Sequence, residues 1–357
     1  MDIYVINKDF DICGVIDSYT SLIWTTRYYS AGDFELYVGA TPELVALLQS
    51  GFYLCREGDL YADECRNVMI VKNIHITTDE ENGDFLTVTG RSLKSIVGQR
   101  IVQEQTNING YVETGIRKVI TQNIVSPADA ARKIDSFVLD DARGYTDTMR
   151  MQVTGDNVAE WLEKVCTTYG IGWDVYIKNK QFAFQLFRGV DRSYNQDVNP
   201  FVVFSDEFDN LLTSDYQSSM ENYRNVAHVA GEGEGLDRRT VNVYSGTAEP
   251  AGLDRYEVYV DSRNTSSNGG EITAAEYLAT LEEEGREALA EATITESFEG
   301  EVEPSANYIL NVDYYLGDIV QVVNKYGIST APRITEIIDS VDTEGRKVIP
   351  TFSTWEV

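Results

Sequence analysis

The sequence predicts a mainly β protein with an α+β section in its middle, and three observations carry that prediction. Short runs of β-branched and aromatic residues broken by turn residues fill residues 1–100 and return from Pro304 onward. Between about residues 101 and 200 the apolar spacing changes to the three-four recurrence of a helix face. The chain of 357 residues is about 2.4 times the roughly 150 of an ordinary domain, and 43% hydrophobic against 24% charged residues supplies a sizeable core. Two or three domains are expected, and a single small domain and global disorder are excluded.

Thr41, with Pro42 at the first helical position, starts a short helix over residues 41–48, and Gly51 supplies the stop. Residues 68–77 alternate, residues 79–84 turn with Asn82-Gly83 providing positive φ, and residues 85–89 return as a hairpin. A helix is predicted over residues 112–124. Val158, Trp161, Leu162, Val165 and Tyr169 define one face of another, which Asp156 can cap and Gly170 follows. Trp173, Val175 and Ile177 then alternate, Lys178-Asn179-Lys180 turns, and Phe182, Phe184 and Leu186 alternate back. Farther on, Thr273-Ala274-Ala275-Glu276 is a capping box followed by Tyr277, Leu281, Ala288 and Leu289 on one helical face. Glu282-Glu283-Glu284 lies mostly off that face and reads as a solvated surface. Strands are expected at residues 308–310, 318–323, 333–339 and 347–352, with turns at Asn324-Lys325-Tyr326-Gly327 and Asp342-Thr343-Glu344-Gly345.

Charge narrows the function classes. The chain carries 29 Lys plus Arg against 58 Asp plus Glu, a net charge of −29, so sequence-independent nucleic-acid binding through basic side chains is excluded. The excess is uneven: residues 101–200 hold 11 basic and 13 acidic residues, whereas residues 201–303 hold 6 and 23. The first residues, Met1-Asp2-Ile3-Tyr4, lack a basic segment followed by an apolar run, and no long uncharged apolar stretch occurs, so neither signal peptide nor membrane span is expected.

Candidate chemistry is sparse. Cys13, Cys55, Cys65 and Cys166 form no C-x-x-C pair, and His75 and His228 have no Cys or His within four residues. Cys166 falls in a helical apolar stripe and reads as a small hydrophobe, and both histidines read as strand residues. Gly231-Glu232-Gly233-Glu234-Gly235 follows the strand-like residues 225–230, but residues 236–244 read as another strand rather than a helix that would hold phosphate. Two Glu also stand where phosphate would lie, so a glycine turn or bulge is expected. Asp254, Glu257, Asp261 and Asp318 are the carboxylates available for glycan hydrolysis, with no spacing that singles them out. No D-x-[DN]-x-[DN]-G calcium loop is present, and residues 79–84 read as a turn. No catalytic, cofactor-binding or metal-ligating residue is assigned, and no cofactor is expected.

Longer stretches carry a resemblance. Glu221-Asn222-Tyr223-Arg224-Asn225-Val226-Ala227-His228-Val229-Ala230-Gly231-Glu232-Gly233-Glu234-Gly235-Leu236-Asp237-Arg238-Arg239 resembles the signature of siphophage tail-tip baseplate hub proteins, the group related to tail-associated lysins. Gly252-Leu253-Asp254-Arg255-Tyr256-Glu257-Val258-Tyr259-Val260-Asp261-Ser262-Arg263 and Asp313-Tyr314-Tyr315-Leu316-Gly317-Asp318-Ile319-Val320 are similar to that family's segments. So are Ser21-Leu22-Ile23-Trp24, Gly32-Asp33-Phe34-Glu35-Leu36 and Thr89-Gly90-Arg91-Ser92-Leu93.

The resemblance implies two tail-tube-like antiparallel β-barrels, over residues 1–100 and 201–357, the second with an inserted acidic helix around residues 273–292. Residues 101–200 would form a smaller peripheral α+β domain, with strands shared across these boundaries. It implies a non-enzymatic virion protein: a homotrimer at the tail tip that closes the tube, adapts a sixfold tube to a threefold tip and passes DNA without binding it. Its implied partners are the distal tail protein ring, the tape measure protein and tail fibre or receptor-binding tip proteins. Many members continue into a lysin or fibre module, whereas Val357 follows the last expected strand, so hydrolysis is not carried over. The alternatives are a carboxylate-dependent cell-wall glycan hydrolase and a monomeric glycan-binding module using the 22 Tyr as stacking platforms.

Overall fold

Alternation decides the largest element, an eleven-stranded antiparallel sheet that collects strands from both ends of the sequence. The structure, a computed structural model, describes residues 1–79, 83–299, 301–302 and 307–353. Across the sheet the order is Asp215–Ser219, Thr295–Glu299, Gly345–Ser353, Arg333–Asp342, Ser21–Arg27, Asp33–Gly39, Gly83–Ser92, Met69–Asp79, Tyr53–Arg56, Ile3–Ile6 and Ile12–Ile16. In Asp33–Gly39, Phe34, Leu36 and Val38 turn inward while Glu35 faces water, the period-two pattern of a half-buried strand. These side chains share a core with Ile3, Val5, Leu22, Trp24, Leu54, Val71, Leu86 and Val88. Ser21–Arg27 pairs with Arg333–Asp342 from Leu22↔Val341 to Arg27↔Glu336, so one continuous sheet holds both the first hundred residues and the last section.

Helix α1 (Pro42–Leu47) has the expected start: Thr41 Oγ1 accepts from the Leu44 N–H at 3.2 Å. It ends at an extended Leu48, and Gly51, with φ +85°, belongs to the turn beyond. The expected hairpin is Met69–Asp79 with Gly83–Ser92. Gly83 has the positive φ the turn requires, while Asn82 lies outside the described residues. Pro304, where the second β region was expected to begin, also lies outside them.

The middle section holds α2 (Val112–Ile120) and α3 (Val158–Tyr169). The helix expected over residues 112–124 changes to a π turn at Thr121–Val125, where Thr121 Oγ1 bonds back to the Arg117 carbonyl at 2.7 Å. Helix α3 is capped by Asn157, not Asp156: its Oδ1 accepts from the Ala159 N–H at 3.0 Å. Gly170, at φ +60°, ends it as expected. The following hairpin, Gly172–Lys178 with Gln181–Phe187, turns on Asn179 and Lys180 alone, both at positive φ, and Lys178 is already paired with Gln181. Phe137–Leu139 adds to one side of this hairpin and Glu64–Cys65, from the first section, to the other.

Two smaller sheets complete residues 201–353. Val203–Ser205, Gln321–Val323 and Ser329–Thr330 form one. Residues 308–310, expected as a strand, make only a Leu310↔Tyr314 bridge, because Asn311 at φ +64° turns the chain and Asp313 Oδ2 accepts from the Ile309 N–H. Val226–Ala230 pairs antiparallel with Thr240–Tyr244 and parallel with Glu257–Asp261, and α4 (Ala274–Glu291) covers one face. The expected class, mainly β with an α+β section, is what the chain adopts.

Candidate functional site: the joints between sections

Helix α4 begins with the full capping box, Thr273 Oγ1 accepting from the Glu276 N–H and the Glu276 carboxylate from the Thr273 N–H. Tyr277, Leu281 and Leu289 pack on Ala227, Val229 and Val243. Gly285 lies on the same face, and a Cβ there would come within 2.5 Å of Val243 Cγ2, so the glycine sets how closely helix and sheet approach. The acidic run is not the solvated face expected. Glu283 is buried, accepts a hydrogen bond from the Tyr169 hydroxyl of α3 and pairs with Arg286 at 2.5 Å. Glu284 accepts from Thr265 Oγ1 at 2.5 Å. The physical reason is that α4 has two buried faces, one on the sheet and one on α3, and the second is lined with acids. The aromatic end of α3, Tyr169, was the sequence signal for the second face.

Burial, with the charges of Glu283 and Glu284 beside it and Lys164 of α3 as a partial offset, pushes the Glu287 carboxyl up to about 8. Glu291 adds to the repulsion from the next turn. A carboxyl raised from its ordinary 4.5 favours the folded state while protonated, so its stability contribution is complete below pH 4.5 and lost as pH rises through about 8. Glu287→Gln is therefore expected to match the wild type near pH 4 and to exceed it by about 1–3 kcal/mol at pH 8.5. Denaturant unfolding at the two pH values checks this; equal stability at both would remove the buried acid from the seam.

The four carboxylates weighed for hydrolysis share no cleft. Asp318 is buried as a brace, accepting from the Val190 N–H at 2.7 Å, Arg192 Nε at 2.8 Å and the Tyr315 N–H at 3.1 Å. Asp261, at the end of its strand, is held well below the usual carboxylate range by hydrogen bonds from Arg263 and then Arg238. Glu257, at the other end of that strand, pairs with Arg255, and Asp254 is exposed in the preceding turn. The glycine-rich segment is a hairpin loop: the Gly231 N–H donates to the Arg239 carbonyl, Tyr277 Oη accepts from the Glu232 N–H, and a single 3-10 turn at Gly235–Asp237 leads into the strand Thr240–Tyr244. His228 Nδ1 lies 2.7 Å from Asn242 Oδ1, and His75 is exposed on its strand. All four cysteines are free, and burial pushes the Cys166 thiol up. Among the described residues no group of three or more His, Cys, Asp and Glu is placed to hold a metal, and no helix is long and apolar enough to cross a membrane.

Two neighbouring clefts, of about 570 and 670 Å³, share Arg188 and Gly189; all three sections line the first, and the middle and last sections line the second. Lys94 lines the first, its ammonium donating to the Arg27 and Tyr28 carbonyls above the Trp173 ring, and burial lowers it to about 8. The arginines there are each committed: Arg27 to Asp33 and Glu336, Arg66 to Glu64, Arg188 to Asp147, Arg192 to Asp318. Of these joint residues, sequence reasoning weighed only Asp318 as a candidate functional group. Their role is mutual bracing, which hydrogen-bond partners reveal and spacing does not.

The carboxylates at the joints brace one section against another, and comparison with known structures shows which proteins share this fold. The chain is similar to the 43 kDa tail protein of prophage MuSo2 from Shewanella oneidensis, with 13% identity, TM-score 0.59, and coverage of 99% of this chain and 98% of that one. It is similar to a tail protein from Neisseria meningitidis MC58, with 11% identity, TM-score 0.57 and coverage of 99% and 96%. Prophage tail protein gp18 from Listeria monocytogenes EGD-e gives 13%, 0.54, 99% and 94%. The fold is therefore that of a phage tail protein. The chain belongs to the siphovirus ReqiPepy6 Gp37-like protein family, whose model matches residues 2–353. No curated protein matches the chain.

Proposed function

We propose that this tail protein is the structural hub of the tail tip: a homotrimeric ring that closes the distal end of the tail tube and adapts a sixfold tube to a threefold tip. What supports the reading is the end-to-end correspondence between this chain and phage tail proteins, joined to a chemistry of braces rather than a converging reactive site. Residues 1–100 form one tube-like barrel, residues 201–357 the second with the acidic helix inserted, and residues 101–200 a peripheral domain. In this reading the pairing of Ser21–Arg27 with Arg333–Asp342 is the seam between the two barrels. The ring takes the distal tail protein on one side, fibre or receptor-binding tip proteins on the other, and meets the tape measure protein at its lumen. With a net charge of −29 the conduit repels the phosphates of the DNA it passes.

Light scattering of the purified chain, followed by averaged electron images of the same peak, tests this. A mass three times the 40.1 kDa chain with ring-shaped views is expected. A monomer that binds host glycan, or turns it over, would replace the reading with one of its rivals.

A further inference from the structure

Two of the four cysteines meet where the first and middle sections join. Cys55 lies in the strand Tyr53–Arg56 of the large sheet, opposite Tyr4. Cys65 lies in Glu64–Cys65, the strand that the first section adds to the middle section's hairpin, opposite Ile177. Both belong to one core, at 0% and 8% exposure, and their thiols hydrogen bond to each other.

The backbone between them holds that approach in place. Leu60 bridges Cys65, the Tyr61 N–H donates to the Glu64 carbonyl and the Arg66 N–H to the Asp59 carbonyl, both at 2.8 Å. The chain thus folds back as a tight hairpin, and Cys55 Sγ comes within 3.9 Å of the carbonyl of Arg66, the residue after Cys65. The same loop carries Arg56 and Asp59, paired at 2.6 Å, and Arg56 reaches on to Asp339 of the last section at 2.8 Å.

We propose that Cys55 and Cys65 are a redox pair, closed to a disulfide by hydrogen peroxide, which locks the first section to the middle one and fixes the loop that braces the last. Their surroundings divide the labour. Cys65 is the more exposed, and its hydrogen bond with Cys55 favours its thiolate, holding it below the ordinary thiol value against burial, Asp59 and Glu64. The same hydrogen bond and then burial push Cys55 up, so it waits as a thiol.

The Cys65 sulfur attacks one peroxide oxygen: an S–O bond forms, the O–O bond breaks, and the departing hydroxide takes the thiol proton as water. Cys55 then attacks the Cys65 sulfur: the S–S bond forms, the S–O bond breaks, and hydroxide leaves with the Cys55 proton as a second water. Two thiols are oxidised and one peroxide is reduced. Cys166, fully buried in α3, and Cys13, exposed in Ile12–Ile16, belong to other elements and take no part.

The test treats the folded, full-length Cys13→Ser chain with hydrogen peroxide, then unfolds it in an alkylating reagent and maps the peptides by mass. Removing Cys13 prevents links between chains through the exposed thiol. Only Cys166 is expected to be alkylated, with the Cys55 and Cys65 peptides joined until dithiothreitol separates them. The oxidised chain is expected to melt about 3–6 °C above the reduced one, because the bond closes a short loop in the unfolded chain. In a further Cys55→Ser variant, Cys65 is expected to stop at the sulfenic acid and be trapped by dimedone, whereas Cys65→Ser leaves Cys55 reduced. The wild-type chain, mapped alongside, is expected to carry the same link, so the result does not depend on any variant folding. Cys55 and Cys65 both alkylated after peroxide, a link that forms only in unfolded chain, or sulfenic acid trapped at Cys55 instead of Cys65 would overturn the pair. A link without a rise in melting temperature would overturn the lock.

Discussion

Asp339→Ala is expected to destabilise the protein by about 3 kcal/mol, seen as a lower denaturant midpoint at unchanged slope. Asp339 is 2% exposed in the strand Arg333–Asp342 and accepts from Arg56 Nη1 at 2.8 Å and from Arg346 Nε and Nη2, both at 2.9 Å. Arg346 is half exposed and can turn to water when the carboxylate is removed. Arg56 cannot: it is buried between Asp59, at 2.6 Å, and the Trp24 ring, and would keep one acid in place of two. Most of the loss is the cost of that stranded cation. Adding Arg56→Met is expected to recover little of it, because the buried Asp59 carboxylate then loses its own cation; Asp59→Asn must be added as well before the loss shrinks. A loss under about 1 kcal/mol would mean that water reaches Arg56 and that the network does not join the first and last sections.

Tyr28→Ala is expected to cost about 4 kcal/mol, the range for emptying an aromatic site. The side chain is fully buried, and its hydroxyl lies 3.2 Å from both the Gly170 and Phe187 carbonyls of the middle section. Its own N–H donates to Thr335, in the last section, at 2.8 Å. Gly172 and Gly317 press on the ring so closely that a Cβ at either would stand 2.2 Å from a ring carbon. One residue of the first section thus touches both others, and its loss is expected to split a single unfolding transition into separate steps. Tyr28→Phe, which keeps the ring and strands the carbonyls, is expected to cost about 1–2 kcal/mol and keep one transition. If the alanine variant unfolds in one step with little loss, the sections are held by other contacts.

Local elements were readable in the sequence because local chemistry makes them. Thr41-Pro42, Gly170 and the Thr273–Glu276 box each act within one turn of the chain, and each does in the structure what its residue types dictate. Where two neighbours compete, as Asp156 and Asn157 do for the start of α3, residue type alone does not decide, because both side chains can accept the same N–H. What spacing does not carry is partnership across hundreds of residues. Nothing near Leu22 announces Val341, nothing near Arg56 announces Asp339, and the burial of Glu283 depends on Tyr169, 114 residues earlier. The candidate joints were therefore invisible, apart from Asp318, until the fold brought their halves together.

The sheet that takes strands from both ends of the sequence sets a timetable for synthesis. When Ser21–Arg27 leaves the ribosome, one of its edges belongs to Arg333–Asp342, which lies some 300 residues downstream. At about 5–20 residues per second that strand follows roughly 15–60 s later. Through that interval the growing chain carries an open strand edge flanked by Leu22 and Trp24, the kind of template on which nascent chains aggregate. A chaperone that shields the edge, or slower production of the chain, is therefore expected to raise the yield of folded protein.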